Sequence, residues 1–208
     1  LTVEGESRLS EDDVLSTAGI ALGDNVFSRS PEEIRTALGA HPWIGDAIVE
    51  RRLPGTFTIH VVERHAALVL MLDDPYLVSD EGTLIARATP GEGADLPILS
   101  GVAPVRFLGD QPFRTRILLE AVTLLSEYEA SGLASREPIS ELRVDVGDDL
   151  TLFVGDDAME VRLGAGPFRQ KLDRLTQVLR ELREREARAA YVLLDNVRSP
   201  GRVTVRLR

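Results

Sequence analysis

Apolar residues recur every third or fourth position in four stretches of this chain, and every second position in most of the rest. Leu1 to Val3 reads as a short strand stopped by Gly5. From Ser10, the residues Val14, Leu15 and Ala18 share one helical face. Ser10 and Asp13 have the spacing of an N-terminal capping pair, and Gly19 suits the C-terminus. The signal repeats from Ser30, with Pro31 at the first helical position, Glu33 closing the box, Ile34, Ala37 and Leu38 as the stripe, and Gly39 then Pro42 as the stop. After Trp43 the period becomes two. Ala47, Val49, Arg51 and Leu53 face one way, Pro54-Gly55 signals a turn, and Phe57, Ile59 and Val61 alternate on the return. The first third therefore predicts the order β-α-α-β-β.

The remainder predicts a second, sheet-rich unit. Residues 66–72 and 76–86 read as strands separated by Asp73-Asp74-Pro75, with a turn at Asp80-Glu81-Gly82. A loop rich in Gly and Pro runs to about Pro97. Ile117, Ala121, Leu124, Leu125 and Tyr128 keep a 3.6-residue period and predict a helix that begins near Pro112. Three strands at 142–146, 150–154 and 158–163 are joined by two turns of the same Gly-Asp-Asp text, as in a β-meander. A further helix is predicted to open at Pro167, with Phe168, Leu172, Leu175, Leu179 and Leu182 inward and a solvated, mixed-charge end. Residues 191–194 and 202–208 close the chain. In the last, Val203, Val205 and Leu207 are expected inside, and Arg202, Thr204, Arg206 and Arg208 outside. The fold class is α+β, with domains at 1–66 and 67–208: a β-α-α-β-β unit, then a mostly antiparallel sheet with two helices.

Composition changes this picture in two ways. Net charge is −10, which argues against a nucleic-acid duplex as partner, since phosphate contacts need a basic footprint. There is no cysteine, which removes thiol catalysis and cysteine-based metal centres. No apolar run is long enough to span a bilayer. The chain starts at Leu1 rather than Met, and is read as a fragment whose signal or anchor lies upstream.

Candidate chemistry is sparse. His60 and His65 face opposite sides of a strand and cannot share a metal, and His41 sits at a helix end where a capping role is expected. The acidic pairs Asp73-Asp74, Asp148-Asp149 and Asp156-Asp157 all fall in predicted turns, where Asp bonds its own backbone. Gly164 and Gly166 precede a helix but lack the third glycine of a dinucleotide fingerprint, residue 169 being Arg. No catalytic triad, metal site or cofactor site is identified.

The stretch His-Pro-Trp-Ile-Gly-Asp-Ala-Ile-Val-Glu-Arg-Arg-Leu-Pro, from His41 to Pro54, holds the chain's single Trp. Pro42 is expected to stop the second helix, with Trp43 buried between helix and sheet. Pro42-Trp43, Ala47-Val49-Arg51, Leu53-Pro54, Thr56-Ile59-Val61 and Glu63-Arg64 together resemble the FtsQ family of bacterial cell-division proteins, called DivIB in Gram-positive bacteria. His65 stands where that family usually has Pro. The residues from Tyr76 to Ala86, from Leu96 to Gly101, and from Val161 to Gly164 with Lys171 extend the likeness, whereas the text from Tyr191 to Asn196 departs from it.

The resemblance implies a POTRA domain followed by the family's β domain, in a single-pass inner-membrane protein with this region in the periplasm. It implies no enzyme activity and no cofactor. The implied partners are FtsB and FtsL at the second domain, with FtsK at the POTRA domain. The implied partner-binding residues are Asn196, Arg202, Val203, Thr204, Val205 and Arg206, on a terminal strand that accepts a partner strand along its edge. Thr204→Pro is expected to abolish capture if its N–H faces that edge. The other reading, a POTRA-bearing component of outer-membrane assembly or secretion, requires further POTRA units or a C-terminal barrel.

Overall fold

A computed structural model describes residues 2–5, 8–25, 27–52, 56–196, 199 and 201–208. They divide into two compact units, Leu1–His65 with Leu84–Ala86, and Ala66–Thr83 with Arg87–Arg208. The turn expected at Leu53-Pro54-Gly55 lies outside the described residues.

The first unit is the expected β-α-α-β-β. Strand β1 (Thr2–Glu4) runs parallel to β3 (Thr56–Glu63), and β2 (Ile44–Arg52) pairs antiparallel to β3 on its other side. Helices α1 (Glu11–Ala18) and α2 (Pro31–Gly39) both open on complete capping boxes, Ser10 with Asp13 and Ser30 with Glu33. Gly19 adopts φ 64° at the end of α1, a left-handed conformation that glycine enters without Cβ strain. Val14, Ala18, Ile34 and Leu38 pack on Ile44, Phe57, Ile59 and Val61 to form the core.

Trp43 departs from expectation. It is only half-buried and lies outside that core. Its ring is covered by the Arg8 guanidinium, 3.8 Å from the ring centroid. The neighbouring motif residues explain the geometry better than the ring does. Glu63, 8% exposed, accepts from the backbone N–H of Arg8 (2.9 Å) and Leu9 (2.9 Å), which fixes the entry into α1. Arg64 donates to the carbonyls of Pro42 (3.0 Å) and Ile44, which fixes the exit from α2. Glu-Arg at the end of β3 is thus a two-sided clasp on chain segments far away in sequence.

The remaining strands form a nine-stranded sheet, eight of them wholly within the second unit. In chain order its strands are β4 (Ala66–Met71), β5 (Pro75–Ser79), β6 (Leu84–Arg87), β7 (Ile98–Ser100), β8 (Ile139–Val144), β9 (Leu150–Val154), β10 (Met159–Gly164), β11 (Ala189–Leu193) and β12 (Thr204–Leu207). In space they run β12-β11-β10-β9-β8-β7-β4-β5-β6. The predicted meander is β8-β9-β10, antiparallel throughout. Parallel pairs occur at β4/β7, β7/β8 and β10/β11.

Among the described residues the second unit has three helices, not two. The two predicted ones are α4 (Gln111–Ala130) and α5 (Arg169–Glu184), and the additional one is α3 (Pro104–Gly109). With six residues α3 is too short to show a period. It ends where Asp110 caps α4 by accepting from Phe113 N–H. Helix α5 begins two residues after Pro167, which follows a cis peptide bond with Gly166. Lys171 holds that turn by donating to the carbonyls of Leu163 (2.6 Å) and Ala165 (2.5 Å), and burial draws its pKa down. Ile117, Ala121, Leu124, Leu172 and Leu175 pack against one sheet face, with Leu142, Leu152, Val161 and Val192. Tyr128 is buried within this core, and its hydroxyl donates to Glu137 O at 2.7 Å.

Candidate functional site: the free margin of the terminal strand

Strand β12 has a single neighbour, β11, and ends the sheet. Among the described residues nothing pairs with its other side. Residues opposite one another are Leu193 and Thr204, Val192 and Val205, Tyr191 and Arg206, then Ala189 and Leu207 after a bulge in β11.

Two bonds establish which backbone groups point outward. Arg208 N–H donates to Arg188 O at 2.9 Å, so residue 208 faces β11. Successive residues of a strand aim their N–H and C=O at alternate sides. Arg206 and Thr204 therefore face β11, while Leu207 and Val205 face open space. The same answer comes from the other end. Leu194 N–H donates to Arg162 O at 2.8 Å, toward β10, so Leu193 faces β12 and pairs with Thr204. The condition placed on Thr204→Pro is not met, and the β12 residues whose N–H lies on the free margin are Val205 and Leu207.

The expected site residues take different roles. Val203 and Val205 are half-buried against the core, as the alternation requires. Leu207 is not inside: it is 57% exposed, at the strand's last position. Thr204, Arg202 and Arg206 are exposed. The Arg206 guanidinium approaches the Tyr191 ring at 6.0 Å. Asn196 is occupied locally, accepting from Ser199 N–H at 3.0 Å at the start of the β11–β12 connection. Arg208, although charged, is committed to the chain itself through Asp157 O (2.7 Å) and Asp157 Oδ1 (3.5 Å).

Sequence reading missed the surface beside this margin. On the sheet face turned away from the helices, Arg143, Asp145, Glu160 and Arg162 form a ladder across β8 to β10, with contacts of 2.9, 3.6 and 2.7 Å. Thr151 adds a hydroxyl donated to Asp145 at 2.5 Å. Alternation marks these residues as outward, but only the register brings them into rows.

Three of the remaining candidates, His41, His60 and Asp148, have structural partners. His41 Nδ1 accepts from Trp43 N–H at 3.3 Å, and His60 lies 3.2 Å from Glu4. Asp148 is gripped by Arg106 and Arg116 (2.5 Å), whose hydrogen bonds hold its carboxyl below the usual carboxylate range. No helix among the described residues is long and apolar enough to cross a membrane, and none of them cluster as metal ligands.

Residues 1–64 match the family model described as POTRA domain, FtsQ-type. Residues 67–195 match the model described as cell division protein FtsQ/DivIB, C-terminal. The chain belongs to the FtsQ/DivIB family of cell-division proteins. A cell division protein FtsQ from Anaeromyxobacter sp. (strain K) is 36% identical over 204 residues, covering 98% of this chain and 69% of that protein. One from Myxococcus fulvus is 31% identical over 207 residues, covering 100% and 72%. A third, from Geotalea daltonii, is 27% identical over 187 residues, covering 90% and 68%. The FtsQ/DivIB C-terminal match stops at residue 195, one short of Asn196, so all of β12 lies beyond it.

Proposed function

We propose that this chain is the periplasmic region of a single-pass inner-membrane protein that assembles the division machinery without catalysing a reaction. Residues 1–66 and 67–208 act as separate modules. The POTRA module recruits the protein to the division site, with FtsK as its partner there. The second module binds FtsB and FtsL by accepting a strand on β12. One observation carries this reading: β12 ends its sheet with the backbone groups of Val205 and Leu207 unmatched. Main-chain bonds to that margin supply affinity and register. Arg202 and Arg206 are the charges left to choose an acidic partner segment, since Arg208 is already held by Asp157.

The test is capture of FtsB and FtsL from bacterial membranes with this chain as bait. Val205→Pro removes an N–H from the free side, sparing the ladder to β11. Capture is expected to be lost while the melting temperature stays near that of the parent. A folded Val205→Pro chain that still captures both proteins would overturn strand addition. Capture of outer-membrane barrel-assembly proteins in their place would favour the transport reading.

A further inference from the structure

The end of β12 opens onto a trough that no part of the proposed strand pairing uses. Two adjoining clefts, of about 320 and 310 Å³, share Arg136, Glu137, Leu179 and Arg183. The first reaches Asp157 and Arg188, the two residues that anchor Arg208. The second continues between α5 and the connection after α4, past Ser131 and Arg180.

Two features distinguish the trough from an ordinary solvated surface. Val154, Met159, Leu179 and Leu182 contribute apolar atoms to the lining of the first cleft. The trough's walls carry Arg136 and Arg183, which make no ion pair among the described residues, with the acids Glu137, Asp156 and Asp157 also lining the first cleft. Glu137 lines both clefts without pairing to either. Arg183 lies in the last turn of α5, where the helix dipole favours a cation. That accounts for one positive wall and leaves Arg136, on the opposite wall, unexplained. A lone phosphate would need neither the apolar lining nor the length of two clefts.

We infer that the trough takes an acidic-aliphatic peptide segment, its aliphatic side chains on that apolar lining and its carboxylates on Arg136 and Arg183. This rests on the strand-addition reading, because the trough begins where β12 ends and the segment is a continuation of the strand added there. Recognition is therefore two-point: main-chain pairing along Val205 and Leu207, then charge and apolar contact beyond Arg208.

Amide NMR of the isotopically labelled chain tests this. The probes are a synthetic peptide alternating Leu and Glu, long enough to span both places, its counterpart with Gln for every Glu, and inorganic phosphate. The Glu peptide is expected to shift the amides of Val205, Leu207, Arg136, Leu179 and Arg183. Its affinity should fall about tenfold in the Arg136→Glu/Arg183→Glu chain and less in the Arg136→Gln/Arg183→Gln chain, both checked for an unchanged melting profile. Shifts confined to Val205 and Leu207 would overturn the trough and spare strand addition. Shifts in the trough with none on β12 would overturn the two-point contact and strand addition with it. Equal trough shifts from the Gln peptide, or from phosphate alone, would overturn recognition of an acidic peptide.

Discussion

Arginine serves opposite ends in two regions of this molecule. In the POTRA unit, Arg64 spends its guanidinium on the carbonyls of Pro42 and Ile44, and Arg51 on the carbonyl of Arg29. These side chains satisfy backbone acceptors left over in two loops and at the first residue of β2. On the terminal strand, Arg202 and Arg206 are exposed, and their guanidinium groups donate to no carbonyl among the described residues. The same residue type is a stitch in one place and a solvent-facing charge in the other. Composition cannot tell the two apart; the deciding variable is whether orphaned backbone groups lie within reach.

The stitched region should be the more fragile. Glu63→Ala removes a nearly buried carboxylate that accepts from two backbone N–H groups, each bond being charge-assisted. We expect a loss of about 3 kcal/mol in urea unfolding of the POTRA unit. A loss below about 1 kcal/mol would mean that the clasp is incidental.

On β12 the comparison is internal to one strand. Thr204→Pro deletes an N–H that pairs with β11 and should destabilise by about 2–3 kcal/mol. Val205→Pro, one residue on, should cost less than about 1 kcal/mol, because that N–H has no partner to lose. Hydrogen exchange of β11 separates them: protection should fall with Thr204→Pro and persist with Val205→Pro. The reverse order would invert the assignment of the open side.

A smaller effect concerns Asp148, where arginine binds a carboxylate instead of a carbonyl. Its pKa is lowered first by the Arg106 hydrogen bond and then, against some desolvation, by Arg116. A carboxylate shifted downward contributes stability that is complete above its unfolded pKa, near 3.9, and that disappears as pH falls through the folded value. Asp148→Asn should therefore cost about 1 kcal/mol at neutral pH, and the gap from the parent should close below about pH 4. Unfolding curves across that range check both the size and the sign.

Much of the fold was legible because its signals are local. Ser10 with Asp13 and Ser30 with Glu33 cap the helices they were expected to cap, and the repeated Gly-Asp-Asp text marks the two turns of the meander. What escaped was non-local or short. Strand β7 has three residues and α3 has six, too few for either period to appear. The edge position of β12 followed from its place in the chain, but the identity of its outward N–H groups did not, because register and a bulge in β11 decide them. Trp43 looked like core since large rings usually are. Its cover is Arg8, thirty-five positions earlier in the chain, and no periodicity links the two.

That pair gives the finest test of the contrast, since there arginine meets a ring rather than a carbonyl or carboxylate. Arg8 sits 3.8 Å from the Trp43 centroid, on a segment already fixed by its backbone bond to Glu63. Truncating its side chain removes the cation and the stem that shields the ring but leaves that anchor in place. Arg8→Ala should cost only about 0.5–1 kcal/mol. Because Trp43 is the chain's single tryptophan, its emission reports the event directly and should move to longer wavelength as water reaches the exposed face. An unchanged emission maximum would mean that the guanidinium does not shield the ring. A stability loss approaching that of Glu63→Ala would mean that Arg8 belongs with the stitches after all.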